Sequence, residues 1–181
     1  MQLAAYDDCL KQHRFDARWI AFIDLDEFIV PVQDATIPDF LKRFEAFPAV
    51  EINWLVYGSG GNKEKSDEDV MKRFRFHSLP DHYLNRHVKS IVNPRRVFTM
   101  IGCHEVARIN GKAADSHGNI IKNNFRERTP QQDVIRINHY AVRSLEEFRE
   151  KQLRGRASGT KTSVPMDYFN QYDLNDIEEK Q

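Results

Sequence analysis

Asp24 and Asp26 stand one residue apart, directly after the apolar run Trp19-Ile20-Ala21-Phe22-Ile23, and Glu27-Phe28 follow at once. Where a strand gives way to a loop, neighbouring side chains can converge. Two carboxylates so placed can share a hard divalent cation such as Mg²⁺ or Mn²⁺. The cation relieves their mutual repulsion and can neutralise phosphate charge on a leaving group. In open α/β sheets, ligands bind beyond the carboxyl ends of strands, which is where this pair would lie. Residue types alone also leave open a solvated acidic turn.

The elements that must position the pair are legible in outline. Residues 1–13 have the apolar spacing of a helix. The short apolar run 19–23 predicts a buried strand. Residues 36–47 predict an amphipathic helix, with Thr36 as N-cap, Pro38 in the first turn and Phe40, Leu41, Phe44 and Phe47 on its apolar face. Residues 50–57 read as a strand, followed by a polar loop to about residue 69. Shorter strands are expected at 88–91, 96–100 and 106–109, the last ended by Asn110-Gly111. Residues 111–132 read as a long polar loop and 134–140 as a strand. Ser144-Leu145-Glu146-Glu147 is a capping box opening a helix that runs to about Leu153 and stops at Gly155. Beyond Ala157 the chain is polar. Strands alternating with helices, without internal repeats, predict an α/β fold.

Composition narrows the function classes. The chain of 181 residues is long enough for one real core. Its 27 basic and 27 acidic residues cancel, so no whole-molecule charge draws it to nucleic acid or an anionic membrane. Cys9 and Cys103 form no zinc-ligand spacing and no disulfide framework, although one bridge stays open. No signal-peptide pattern precedes residue 24, and no apolar run approaches the ~20 residues of a membrane span. A cytoplasmic protein, or a cytoplasmic piece of a larger one, is the expectation.

Five motifs in order carry a family resemblance. Residues 19–29 resemble the W-x-x-x-x-D-x-D-E-F signature of glycosyltransferase family 92 and related family 2-like enzymes. Trp54-Leu55-Val56-Tyr57-Gly58-Ser59-Gly60-Gly61 is similar to W-x-x-F-G-S-S-G, and Lys89-Ser90-Ile91-Val92-Asn93-Pro94 to K-S-I-x-x-P. His104 sits where the family places a histidine. Ile137-Asn138-His139-Tyr140, Ser144, Glu146-Glu147-Phe148, Lys151 and Arg154-Gly155 resemble I-N-H-Y…S-x-E-E-F-x-x-K-x-x-R-G. The resemblance spans residues 1–176.

The resemblance implies a partial GT-A fold, Rossmann-like with a mixed central sheet. It also implies a nucleotide-sugar donor, a saccharide or glycoconjugate acceptor, and Mn²⁺ or Mg²⁺ as cofactor. Asp24 and Asp26 would hold the metal and the donor diphosphate or ribose. His139 would be a late metal ligand as a neutral imidazole, with His104 the alternative. By itself, His139 reads as a strand histidine bonded to a carbonyl. Trp54 with Gly58, Ser59 and Gly60 would line the acceptor side, since an aromatic face suits sugar C–H groups and glycines permit close approach. A core tryptophan before a turn is equally open. Lys89, Arg95, Arg96, Lys151 and Arg154 would meet phosphate or serve as surface charge. Glu105 is the candidate base for inverting transfer, or an exposed strand carboxylate.

Only 23 residues precede Asp24, so the resemblance implies a chain lacking the N-terminal part of the domain that holds the nucleotide base. Residues 1–157 would form the metal- and acceptor-binding part, and residues 158–181 a polar tail or helical extension. The family's E-R-F after the glycine loop reads Lys72-Arg73-Phe74 here. Two other classes compete. A haloacid-dehalogenase-type phosphatase also places D-x-D after an apolar strand, although Glu27-Phe28 fits it poorly. A degenerate module would bind sugars or partners without turnover.

Overall fold

The structure is a computed structural model that describes residues 2–102, 104–154 and 164–180. Cys103 and the helix stop expected at Gly155 lie outside the described residues, as does the expected boundary at residue 157. The elements run in the order α1 (Gln2–Gln12), β1 (Ile20–Ala21), β2 (Glu27–Pro31), α2 (Ile37–Leu41), β3 (Ala49–Val56), α3 (Val70–Arg73), β4 (Phe76–His77) and β5 (Val88–Val92). Then follow β6 (Val97–Met100), β7 (Val106–Arg108), β8 (Ile135–His139), α4 (Leu145–Arg154), α5 (Met166–Tyr172) and β9 (Ile177–Glu178).

Five strands form the central mixed sheet in the order β1-β5-β3-β8-β2. The β3–β8 pair is parallel and the other three are antiparallel, so β1, β3 and β8 point toward the same end. This is the mixed α/β architecture expected, compatible with part of a Rossmann-like fold. β3 is buried along its whole length, as its place between β5 and β8 in the middle of the sheet requires. Side chains alternate across it. Val50, Ile52, Trp54 and Val56 face the larger core with Phe40, Phe44, Ile137, Phe148 and Phe169. On the opposite face Ala49 and Val92 meet Leu10, Phe22, Val97 and Met100.

Two of the expected elements differ in extent or burial. The run 19–23 pairs only through Ile20–Ala21, and Ala21 and Ile23 are exposed. β1 is an edge strand rather than a buried one, because β5 pairs it on one side alone. The helix expected over 36–47 stops at Leu41 and continues as a 3₁₀ turn, Lys42–Phe44. Its start is as read: Thr36 Oγ1 accepts from Asp39 N at 3.2 Å. The capping box of α4 is also formed. Glu147 N donates to Ser144 Oγ, and Ser144 N to Glu147 Oε2, each at 3.3 Å. Gly111 takes a positive φ of 73° at the Asn110-Gly111 turn. The chain after Val164 adds α5 to the main core through Phe169 and Tyr172, and β9 pairs with β4.

The sheet order places β1 and β2 at opposite edges although they are neighbours in sequence. A flat sheet of five strands is ~19 Å from edge to edge. The six peptide steps from Ala21 to Glu27 reach at most ~20 Å. Residues 22–26 therefore cross one end of the sheet with little slack. That end is the one toward which β1, β3 and β8 point.

Candidate active site

Register fixes which side chains gather beneath this crossing segment. Lys89 stands across from Ile52, Ile137 across from Trp54, His139 across from Val56, and Glu27 across from His139. Alternation then puts Lys89, Trp54, His139 and Glu27 on one face. Asp24 and Asp26 close over them. Tyr140 N donates to Asp26 O at 2.8 Å, anchoring the crossing segment to the end of β8.

Each aspartate meets an ammonium group. Lys89 Nζ lies 2.8 Å from Asp24 Oδ2 and 3.6 Å from Glu27 Oε2. Lys151 Nζ, carried in by α4, lies 2.9 Å from Asp26 Oδ2 and donates to Ala141 O at 2.8 Å. His139 Nε2 lies 3.8 Å from Asp26 Oδ1. Gln2 Nε2 donates to Asp24 Oδ1 at 3.1 Å, so α1 braces the outer side. Among the described residues, three buried polar atoms here have no partner: Glu27 Oε1, Trp54 Nε1 and His139 Nδ1.

The electrostatics follow from burial. Burial pushes the Glu27 carboxyl up to about 7, despite Lys89 and the Asp24 N–H that donates to it. Burial drives the His139 imidazole down to about 4, so the ring is neutral at neutral pH. Burial also works against the Asp26 charge, yet its carboxyl is held below the usual range. The His139 ring, which takes up its proton in the acid range where Asp26 titrates, and the Lys151 ammonium are responsible.

Trp54 is only 6% exposed, and three imidazoles cover its ring rather than leaving it open as a platform. His87 stacks on it at 4.8 Å between centroids, His139 lies at 4.1 Å and His104 meets its edge at 5.5 Å. Neighbouring space is apolar: a cleft of about 540 Å³ beside Asp24 and Glu27 is lined by Ile23, Leu25, Phe28 and Met71.

Other expected site residues lie elsewhere. Glu105 interacts with the Glu51 carboxylate, which projects from the face of β3 opposite Trp54. Gly58, Ser59 and Gly60 face the C-terminal segment. Ser59 N donates to Asp173 Oδ1 at 2.6 Å and Gly60 N to Asn175 Oδ1 at 2.7 Å. A Cβ on Gly58 would collide with Leu174 O and Asn175. Arg96 donates to Ala46 O at 2.5 Å, and Arg95 lies over Phe15. Arg154 is exposed at the end of α4. Glu27 and His87 join the cluster without having been singled out by sequence. Glu27 has a visible signal, a carboxylate opening the strand after D-x-D; His87 has none, because it precedes an ordinary short strand.

The donor chemistry suits a hard divalent cation: two carboxylates and a neutral imidazole, with a buried carboxylate oxygen unpartnered alongside. Among the described residues no three such groups are already converged on one point. The two lysines hold the aspartates instead.

A mixed α/β sheet with acidic, basic and imidazole groups gathered beyond its parallel strand ends is the frame of an enzyme that handles a charged ligand. The model of Glycosyltransferase family 92 matches residues 1–180. The chain belongs to glycosyltransferase family 92 and is a glycosyltransferase, which sets aside the phosphatase reading. No curated protein matches the chain. Among the described residues no helix is long and apolar enough to cross a membrane.

Proposed function

We propose that the chain is the metal- and acceptor-binding part of an inverting glycosyltransferase using a nucleotide-sugar donor and a saccharide or glycoconjugate acceptor. The observation that carries this reading is that Asp24, Asp26 and neutral His139 all lie at the carboxyl ends of β1, β3 and β8, with His139 Nε2 3.8 Å from Asp26 Oδ1. These three residues would hold Mn²⁺ or Mg²⁺. The bound cation would supply charge stabilisation to the departing diphosphate. Lys89 and Lys151 are already aimed at the carboxylates, and on donor binding their ammonium groups would turn to phosphate oxygens. Glu27 holds Lys89 in place and, through the Asp24 N–H, fixes the crossing segment.

Calorimetry of Mn²⁺ with uridine and guanosine diphosphates tests this. Wild-type protein should bind one of the nucleotides only with metal, and Asp26→Ala should weaken binding at least ~10-fold, the outer-shell scale of metal-site losses. Metal-independent binding, or equal binding by Asp26→Ala, would remove the carboxylates from the donor site.

A further inference from the structure

Transfer to a hydroxyl needs a group that takes its proton. On the reading above, Asp24, Asp26 and His139 are committed to metal, and Glu105 is in electrostatic reach of Glu51, which projects from the face opposite Trp54. Of the three imidazoles around Trp54, His87 and His104 are left unassigned.

His104 is held on the outer edge of β5. β1 pairs there with Val92 and Ile91. Past the end of β1, Asp24 reaches Lys89. His104 takes the next place on that edge: its Nδ1 lies 2.7 Å from Val88 O, and Ser90 Oγ donates to His104 O at 3.0 Å. Two fastenings on either side of Lys89 thus seat the ring next to the Asp24–Lys89 pair. A carbonyl oxygen can only accept, so the proton of the neutral ring is on Nδ1 and Nε2 keeps its lone pair. That Nε2 has no hydrogen bond to a described residue, and it is not one of the buried atoms left without a partner. His87 repeats the arrangement, with Nδ1 2.9 Å from Leu84 O, and packs 5.4 Å from the His104 ring. Phe125 closes the far side at 5.5 Å.

We propose that His104 is the general base for the acceptor hydroxyl, a role that rests on the glycosyl-transfer reading. Nε2 accepts the hydroxyl proton as the acceptor oxygen forms its bond to the anomeric carbon. The bond from that carbon to the diphosphate oxygen breaks, and its electron pair leaves with the nucleoside diphosphate. The imidazolium then returns its proton to solvent. Burial keeps the ring's pKa below 6.5, assisted by Lys89 on β5 and His87 before it and opposed by Asp24 on the crossing segment. The ring is therefore neutral, and able to accept, at neutral pH.

The test uses the full chain with His104→Gln and, as control, His87→Gln. Imidazole ¹⁵N spectra of the wild type are recorded with and without Mg²⁺ and uridine diphosphate. Nucleotide release from uridine diphosphate hexoses is followed with water as acceptor. The proposal expects a His104 ring protonated on Nδ1 with a free Nε2 that Mg²⁺ does not bind. It expects Mn²⁺–nucleotide affinity within about twofold of wild type in His104→Gln, and release slowed ~100-fold or more. Imidazole added to His104→Gly should restore part of the rate, which a packing role would not allow. An Nε2–H tautomer, a metal-shifted Nε2, lost nucleotide binding in His104→Gln, or release within threefold of wild type would each overturn it. Wild-type protein that binds no metal–nucleotide pair would instead sink the underlying reading, and that outcome shows without any variant.

Discussion

Glu27 and His139 are cross-strand neighbours with opposite responses to the same burial. The folded state keeps His139 neutral down to about pH 4, against 6.5 for a free imidazole. Between those values the unfolded chain binds the extra proton, so His139 makes the protein lose stability as pH falls, by roughly 3 kcal/mol in all. Glu27 acts the other way. Its folded pKa of about 7 lies above the ordinary 4.5, so its stabilising contribution is full in acid and is lost as pH rises through that window. Thermal melts from pH 4.5 to 7 should separate the two. Relative to wild type, His139→Phe should gain stability toward acid and Glu27→Gln should gain it toward neutrality. Parallel curves for all three proteins would show that neither group is desolvated as described. Sequence displayed the aspartates because two carboxylates after an apolar run are rare enough to notice. It could not display the roles of Glu27, His87 or Trp54. Their behaviour depends on which strand each one faces, and that is set by pairing between segments distant in the chain.

At the scale of elements, α4 has one job that its sequence shows and one that it does not. Its capping box was readable from Ser144 and Glu147, because N-cap chemistry is local. Its delivery of Lys151 to Asp26 depends on how Phe148 seats the helix in the core. Ser144→Ala should cost about 1 kcal/mol and Phe148→Ala about 3–5 kcal/mol, read as shifts in denaturation midpoint. Equal, negligible shifts would mean that α4 is not held as described. The glycine loop shows the converse. The family resemblance put it on the acceptor side, whereas the C-terminal segment lies against it. Gly58→Ala should destabilise by about 1–3 kcal/mol through overpacking and speed amide exchange at Ser59 and Gly60. Unchanged exchange would show that the segment does not rest there. The run 19–23 read as buried because it is apolar, yet it pairs on one side alone; strand partners are not encoded within five residues.

At the scale of the whole molecule, the sheet order explains why the chemistry falls where it does. Neighbouring strands β1 and β2 occupy opposite edges, so the segment bearing both aspartates must span the sheet end. Three strands deliver His139, Trp54 and the crossing segment to that end, and β5 delivers Lys89. The α/β class was legible from alternating patterns, and the motif order carried the family. The strand order was not legible, because it is set by pairing between segments far apart in the chain. The central claim is that Asp24, Asp26 and His139 share one divalent cation with a nucleoside diphosphate. Electron spin-echo spectroscopy of Mn²⁺ bound with uridine or guanosine diphosphate addresses it directly. The account predicts nitrogen modulation from one bonded imidazole, lost in His139→Phe, together with phosphorus couplings. Bound Mn²⁺ showing phosphorus but no imidazole nitrogen, or nitrogen that survives in His139→Phe, would contradict it.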